Sequence, residues 1–370
     1  MHVAIAHDWL VHYTGSEQCV RELCAVFPGA EVVTSLIDRS SAPAELVHAS
    51  PSFLQSVPWA VSHHEWSLPL MPLAWRLRSP LRGLDAVISS SHACAKAVRV
   101  EPGTPHLCYC HTPMRYAWDF TGEAERFPRL VRPASRVSMA WFRRWDRRTA
   151  ERVTRFVANS QAVAGRIERY YGRHAAIIHP PVRTDFFTPG GERGDHFLYV
   201  GRLVSYKRAD LALEAFADLP HRLLVVGTGR WERALRARAT PNVTFLGQVE
   251  DDELRTLYRS ARALVYPANE DFGIVMAEAQ ACGTPVIALA AGGALDIVDD
   301  GETGWLLKRQ SSDDLRRAVL RAAEESLDED RLRESAERFS AARFRTLMRE
   351  AVEDMVARHR LGVRTARVPA

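Results

Sequence analysis

The stretch Ala263–Ala288 leaves few folds open to this chain. Ala263-Leu-Val-Tyr266 is an apolar run of strand length, stopped by Pro267. A tight acidic loop through Glu270 and Asp271 leads to a helix opening near Gly273, and Pro285–Leu289 reads as a second apolar strand after a Gly-Thr-Pro turn. Strand, turn, helix, strand is the repeating unit of a parallel sheet covered by helices. Ligands of such sheets sit beyond the carboxyl ends of the strands and at helix N-termini, where unpaired backbone N–H groups point outward. Glu270 falls at that edge and Glu278 two turns further on. Taken as isolated residues, such a pair is far more often a loop carboxylate and an exposed helix position than a ligand site.

Around the two carboxylates the residues are more particular. Phe272-Gly273 lies inside the loop, seven residues separate Glu270 from Glu278, and Ala279-Gln-Ala281-Cys-Gly283-Thr-Pro285-Val-Ile287 follows. This resembles the signature of family 4 glycosyltransferases, retaining enzymes of the GT-B fold. The resemblance implies an α/β architecture of two Rossmann-like, doubly wound domains facing a cleft. Residues 1–185 would bind the acceptor and 186–342 the nucleotide-sugar, with a C-terminal helix at about 343–360 crossing back to the first domain. Arg183–Asp195, rich in glycine around Thr188-Pro-Gly-Gly, reads as the linker and hinge.

In the second half, His196–Val200 is a strand, Gly201 a turn, and a helix is expected to begin near Lys207. Arg202 and Lys207 are close enough in sequence to hold one diphosphate, guanidinium by two-point contact and ammonium as a compact charge. Of 49 basic residues only Lys96, Lys207 and Lys308 are lysine, so a lysine kept here stands out. The segment matches the family's Gly-Arg…Lys clamp. By the same resemblance, Glu270 holds sugar hydroxyls beside the amides of Phe272 and Gly273, Ile274 lines the donor site, Glu278 takes the ribose, and Gly247 and Val249 cradle the base. Gly227-Thr-Gly229 alone is weak as a nucleotide fingerprint.

The first half opens on a strand, Val3–Ala6, and a turn in which Gly15 brings backbone amides toward a phosphate; relatives carry a second glycine where Thr14 stands. His106–Cys110 is another strand, ending in His111-Thr-Pro113-Met-Arg115-Tyr116. A single histidine is more often structural. This segment, however, is similar to the His-Thr-Pro-x-Arg-Tyr of family members resembling O-antigen and capsule mannosyltransferases. That implies His111 beside the transferred sugar and Arg115, Tyr116, Asp119 and Asn159 on the acceptor side.

Composition narrows the partners. A net charge of +4 on 49 basic and 45 acidic residues marks no nucleic-acid binder. The six cysteines lack metal or disulfide-framework spacing and read as reduced thiols. The N-terminus runs straight into a strand without a signal-peptide pattern, and no apolar run is long enough to span a membrane, so a cytoplasmic protein is expected. Between residues 51 and 82, Trp59, Trp66, Leu70, Leu73 and Trp75 are followed by Arg76, Arg78 and Arg82; the segment suits a membrane interface or packing on its own domain. The arginine-rich stretch 141–148 reads as a lipid contact or an ordinary solvated face. The tail 361–370 reads as disordered.

The function expected is retaining transfer of a hexose, mannose from GDP-mannose, to a polyprenol-linked glycan in surface polysaccharide assembly. Arg202, Lys207 and helix N-termini would carry the departing diphosphate with no metal and no further cofactor. A UDP-sugar transferase with a soluble acceptor, a non-catalytic sugar-nucleotide-binding assembly subunit, and an epimerase on the same fold remain alternatives.

Overall fold

The computed structural model describes residues 1–13, 15–118 and 132–362, with backbone alone for Tyr116 and 132–138. Thr14, Asp119 and tail residues 363–370 lie outside the described residues. The chain divides into two compact units: Met1–Pro180 with Phe344–Ala370, and Pro181–Arg343.

The first unit holds strands β1 (Val3–His7), β2 (Glu31–Thr34), β3 (Ala86–Ser91), β4 (His106–Cys110), β5 (Arg155–Ala158) and β6 (Ala175–Ile177). They form one parallel sheet in the order β2-β1-β3-β4-β5-β6. The second unit holds β7 (Phe197–Val200), β8 (Leu223–Val226), β9 (Val243–Gly247), β10 (Leu264–Tyr266), β11 (Val286–Leu289) and β12 (Gly304–Leu307), in the order β12-β11-β10-β7-β8-β9. Central strands such as β1 and β7 are buried along their whole length, which is why they read as unbroken apolar runs rather than alternating ones. In each sheet the chain builds outward from its first strand and then reverses direction. The reversal leaves a crevice between β1 and β3 in one sheet and between β7 and β10 in the other, the place where open α/β sheets take ligands.

β4 shows how the pleat sorts side chains. Leu107 and Tyr109 enter one layer, while Cys108 and Cys110 enter the opposite one. The first of these layers is completed from the far end of the sequence. The helix Ala341–Arg360 sets Phe344, Met348, Val352, Met355 and Val356 against Val3, Ile5 and Leu107, with Arg155–Asp354 (2.7 Å) and Arg345–Glu22 (3.3 Å) at its rim.

Residues 183–195 are not a free linker. Val182 N–H donates to Phe339 O (2.9 Å), Phe187 is fully buried, and Arg193 donates to Ala261 O (2.8 Å) and Gly283 O (2.7 Å). Glycine richness suggested a hinge there. The apolar Phe186-Phe187 pair and the arginine instead dock the segment onto the second unit, and the division falls at Pro180-Pro181.

Residues 51–82 form two short 3-10 turns, Phe53–Ser56 and His64–Leu70, followed by the helix Met71–Leu77. Met71, Ala74 and Trp75 are buried against Ala4 and Ala6, whereas Trp66 (69%), Leu70 (40%), Leu73 (44%) and Leu77 (63%) are exposed. This helix is therefore apolar on both sides. Helix Arg132–Ala150 packs Phe142 and Trp145 on the same layer and exposes Trp141. No described helix is long and apolar enough to cross a membrane.

Candidate functional site

In the second unit, the residues following β7 and β10 meet at the sheet's reversal. After β7 the chain makes a 3-10 turn, Ser205–Lys207, and then a sharp bend at Arg208, whose φ of 54° is the one positive value among described non-glycine residues. Such a conformation costs roughly 1–3 kcal/mol and persists only where neighbours enforce it. Here Asp210 (3.1 Å) and Gln310 (2.9 Å) hold the guanidinium. The helix therefore starts at Ala209, not at Lys207, and the bend leaves Lys207 on the sheet edge.

Lys207 Nζ donates to the Tyr266 hydroxyl (2.7 Å) and lies 2.7 Å from Glu270 Oε1. Burial alone would lower the lysine's pKa, but Tyr266 and Glu270 outweigh it and the shift is upward, so the ammonium stays charged. Arg202 donates to the Tyr206 hydroxyl (3.0 Å), and Lys207 Nζ lies 5.9 Å from the centre of the same ring. The two cations thus flank one tyrosine.

Backbone packing fixes these loops. A Cβ on Gly227 would fall 2.1 Å from Gly201 O, and one on Gly292 2.0 Å from Glu270 O. Gly293 N–H also donates to Glu270 O (2.9 Å), so the glycine pair clamps the carboxylate's loop from behind. Gly273, at φ 87°, precedes the helix Ile274–Ala281, which no side chain caps. Its first amides are the orphan donors that suit an anion. Phe272 is buried against Phe339. Gly247 O accepts from Gly227 N–H (2.6 Å), tying β9 to β8, and Val249 packs on the core beneath.

Glu278 differs from the position its spacing suggests. It is nearly buried and accepts from the Tyr258 hydroxyl (3.1 Å). Burial pushes its pKa up to about 7, against the opposing pull of Tyr258 and Arg183. The small neighbours Ala277, Ala279 and Ala281 let the helix sink into the core, carrying the glutamate with it.

In the first unit, His111 follows β4. Its Nε2 lies 2.8 Å from Ser90 Oγ, its backbone N–H donates to Ser91 O (2.9 Å), and its carbonyl accepts from Asn159 Nδ2 (3.0 Å). Asn159 is nearly buried and orients the His111 backbone; its contacts are internal rather than directed at an acceptor. Gly15 opens the helix Gly15–Val26, whose Glu17 reaches His7 at the end of β1 (3.8 Å). Arg115 begins a short helix, Arg115–Trp118. That helix is anchored where Trp118 Nε1 and the Tyr171 hydroxyl each donate to Asp146 Oδ2 (2.7 Å), with Lys96 on the other carboxylate oxygen. The side chain of Tyr116 and all of Asp119 are outside the described residues.

Sequence reasoning missed several residues here. Asp8 is fully buried and accepts from four backbone amides, His92 (2.6 Å), Ala93 (2.9 Å), Cys94 (2.5 Å) and Ala95 (2.6 Å). Burial would raise its carboxyl, but His92, His7 and the amides carry it below its ordinary value. His7, Glu17, Ser90, Tyr206 and Tyr266 were also passed over. The available signal was His7-Asp8, two polar residues at the carboxyl end of an otherwise apolar strand. Among the described residues, no group of three or more His, Cys, Asp or Glu side chains is placed to hold a metal ion.

Comparison with known proteins agrees with this architecture. The chain is 32% identical over 188 residues to D-inositol 3-phosphate glycosyltransferase of Mycobacterium tuberculosis and to that of Mycobacterium bovis. The match covers 44% of this chain and 39% of the relative, so the chain spans less than half the length of these curated relatives. In fold it is similar to HepE from Anabaena, solved with UDP and glucose (TM-score 0.69, 17% identity, 95% of this chain and 99% of that one). It is also similar to sucrose-phosphate synthase from Thermosynechococcus elongatus (0.68, 18%, 96% and 99%) and to the lipopolysaccharide outer core galactosyltransferase WaaB (0.66, 17%, 96% and 99%). All are GT-B proteins. Residues 13–186 match the model of Glycosyltransferase Family 4 and residues 185–339 that of Glycosyl transferases group 1. With both halves accounted for and the GT-B sheets in place, the chain belongs to the family 4 glycosyltransferases.

Proposed function

We propose that the protein transfers a hexosyl group from a nucleotide-diphosphate-sugar to a glycan acceptor with retention of configuration. The observation that carries this reading is the meeting of Lys207 and Glu270 at the reversal of the second sheet, beside the uncapped helix that starts at Ile274. An ammonium, a guanidinium and orphan amides suit the diphosphate, and a carboxylate beside them suits sugar hydroxyls. Binding would exchange part of the Lys207–Glu270 pairing for phosphate and hydroxyl contacts, while Glu278, held from behind by the buried Tyr258, takes the ribose hydroxyls. In the transfer, the bond from C1 to the phosphate oxygen breaks, C1 bonds the acceptor oxygen, and the acceptor's proton passes to the departing diphosphate. Charge stabilisation comes from Arg202, Lys207 and helix amides, and the reaction needs no metal.

Mannose from GDP-mannose is the donor we infer, on the His111-Thr-Pro-Met-Arg-Tyr segment, and a polyprenol-linked glycan the acceptor. The exposed apolar side of 66–77, next to the exposed Arg76 and Arg82, favours contact with the inner face of the cell membrane. The second reading, a UDP-sugar donor, is favoured by the structural relatives solved with UDP.

Nucleotide release from a panel of UDP-, GDP- and ADP-sugars, with chelator and a lipid-linked acceptor extract present, tests the proposal. Release from GDP-mannose alone, falling about 100-fold or more in Lys207→Ala, is expected for loss of one preorganised charge. A UDP-sugar preference would replace the donor assignment, and failure to bind any nucleotide would remove the site.

A further inference from the structure

The polar groups behind His111 form a chain whose hydrogens can be placed one by one. His7, fully buried at the end of β1, has Nδ1 3.0 Å from Ser90 O and 3.1 Å from Ser90 Oγ. A carbonyl oxygen only accepts, so Nδ1 of His7 carries a hydrogen. Its other nitrogen, Nε2, faces Glu17 Oε1 at 3.8 Å, and that carboxylate is itself almost completely buried. A buried carboxylate beside a ring nitrogen favours a proton there, so Glu17 draws His7 toward the imidazolium form. Ser90 Oγ then accepts from His7 Nδ1, and among the described residues its own hydrogen has one acceptor in line, His111 Nε2 at 2.8 Å. Were His111 Nε2 to donate instead, Ser90 Oγ would accept from both histidines and its hydrogen would lack an acceptor.

We propose that Glu17, His7 and Ser90 are positioning residues which hold His111 as the neutral Nδ1–H tautomer. His111 thereby meets the transferred sugar as a hydrogen-bond donor to one of its oxygens, and not as a general base. The inference rests on reading His111 as the sugar-contacting residue, and it adds which ring atom acts and in which protonation state. The surroundings agree. The rings of His92 and His7 lie 6.2 and 6.4 Å away and that of Tyr109 5.1 Å away, with Asp8 and Glu17 behind them. Burial and the two neighbouring histidines pull His111 down to about 3, which favours the neutral ring between pH 6 and 8. His7 moves the other way: burial opposes its charge, but Glu17 and Asp8 raise its pKa.

The test is long-range proton–nitrogen NMR on the intact, histidine-labelled protein, with His111 assigned by its disappearance in His111→Gln. The expected spectrum has His111 protonated at Nδ1 and bare at Nε2 from pH 6 to 8. Ser90→Ala should convert it to a mixture of tautomers, Ser90→Thr should restore it, and Glu17→Gln should remove the second proton from His7. An Nε2–H or imidazolium signal for wild-type His111 overturns the proposal. So does a tautomer unchanged in Ser90→Ala; if that variant does not fold, the wild-type spectrum decides alone. None of these readings requires substrate, so a chain with the expected tautomer but no nucleotide release would remove the transfer reading and leave the tautomer assignment intact.

Discussion

Glu278 shows how one side chain's burial becomes a property of the protein. Its carboxyl has an ordinary pKa near 4.5 and a folded value of about 7. The folded state therefore holds the proton more tightly than the unfolded chain, and stability is lost as pH rises between those two values. The loss is on the order of 3 kcal/mol once the group is fully ionised. Glu278→Gln should flatten this dependence: in denaturant melts of the two proteins, the wild type should weaken from pH 5 to 7.5 and the variant much less. The motif spacing locates Glu278 on its helix, but it does not reveal that alanines on either side let the helix sink. Lys207 was legible as a rare lysine after a glycine turn. Its partner Tyr266 was not, because a tyrosine closing an apolar strand reads as core. His7 and Ser90 were hidden for a different reason: they are 83 residues apart in sequence and acquire meaning only once β1 and β3 lie side by side.

At the level of elements, apolar runs disclosed the strands because a parallel sheet covered on both faces leaves no alternation to decode. Their order was legible only as the general doubly wound pattern, since pairing depends on contacts distant in sequence. The helix Met71–Leu77 resolves an ambiguity that its sequence left standing. Packing and exposure are both true of it, with Met71, Ala74 and Trp75 inward and Leu70, Leu73 and Leu77 outward. From 51 to 84 Glu65 is the sole acidic residue, and although Arg78 is turned onto the carbonyls of Thr34 and Ser50, exposed Arg76 and Arg82 let this surface complement an anionic bilayer. The protein should float with vesicles containing anionic lipid and stay behind with zwitterionic ones. Leu73→Glu with Leu77→Glu should weaken that binding by roughly 100-fold or more, given about 1.5–3 kcal/mol for each buried leucine. Self-association removed by the same pair of changes, without flotation, would assign the surface to a second copy.

For the molecule as a whole, the decisive feature is the helix Ala341–Arg360, which belongs to the first unit's core although the second unit precedes it in sequence. Phe344 is buried there edge-on to Tyr109, with ring centres 5.5 Å apart. Phe344→Ala should cost about 3–5 kcal/mol. Hydrogen exchange should show the loss in β1, β3 and β4, with β10 and β11 keeping their protection; uniform loss across both sheets would contradict the division into units. The same connectivity inverts the order of birth and maturity during synthesis. The second unit has all of its residues once Arg343 has left the ribosome, whereas the first, though translated earlier, must wait for Val356 with one face of its sheet covered only in part, by the helix Gly15–Val26. Until then the nascent chain carries an open apolar strip, and a chain halted just after Arg343 would hold a complete second unit attached to a first half that chaperones must shelter.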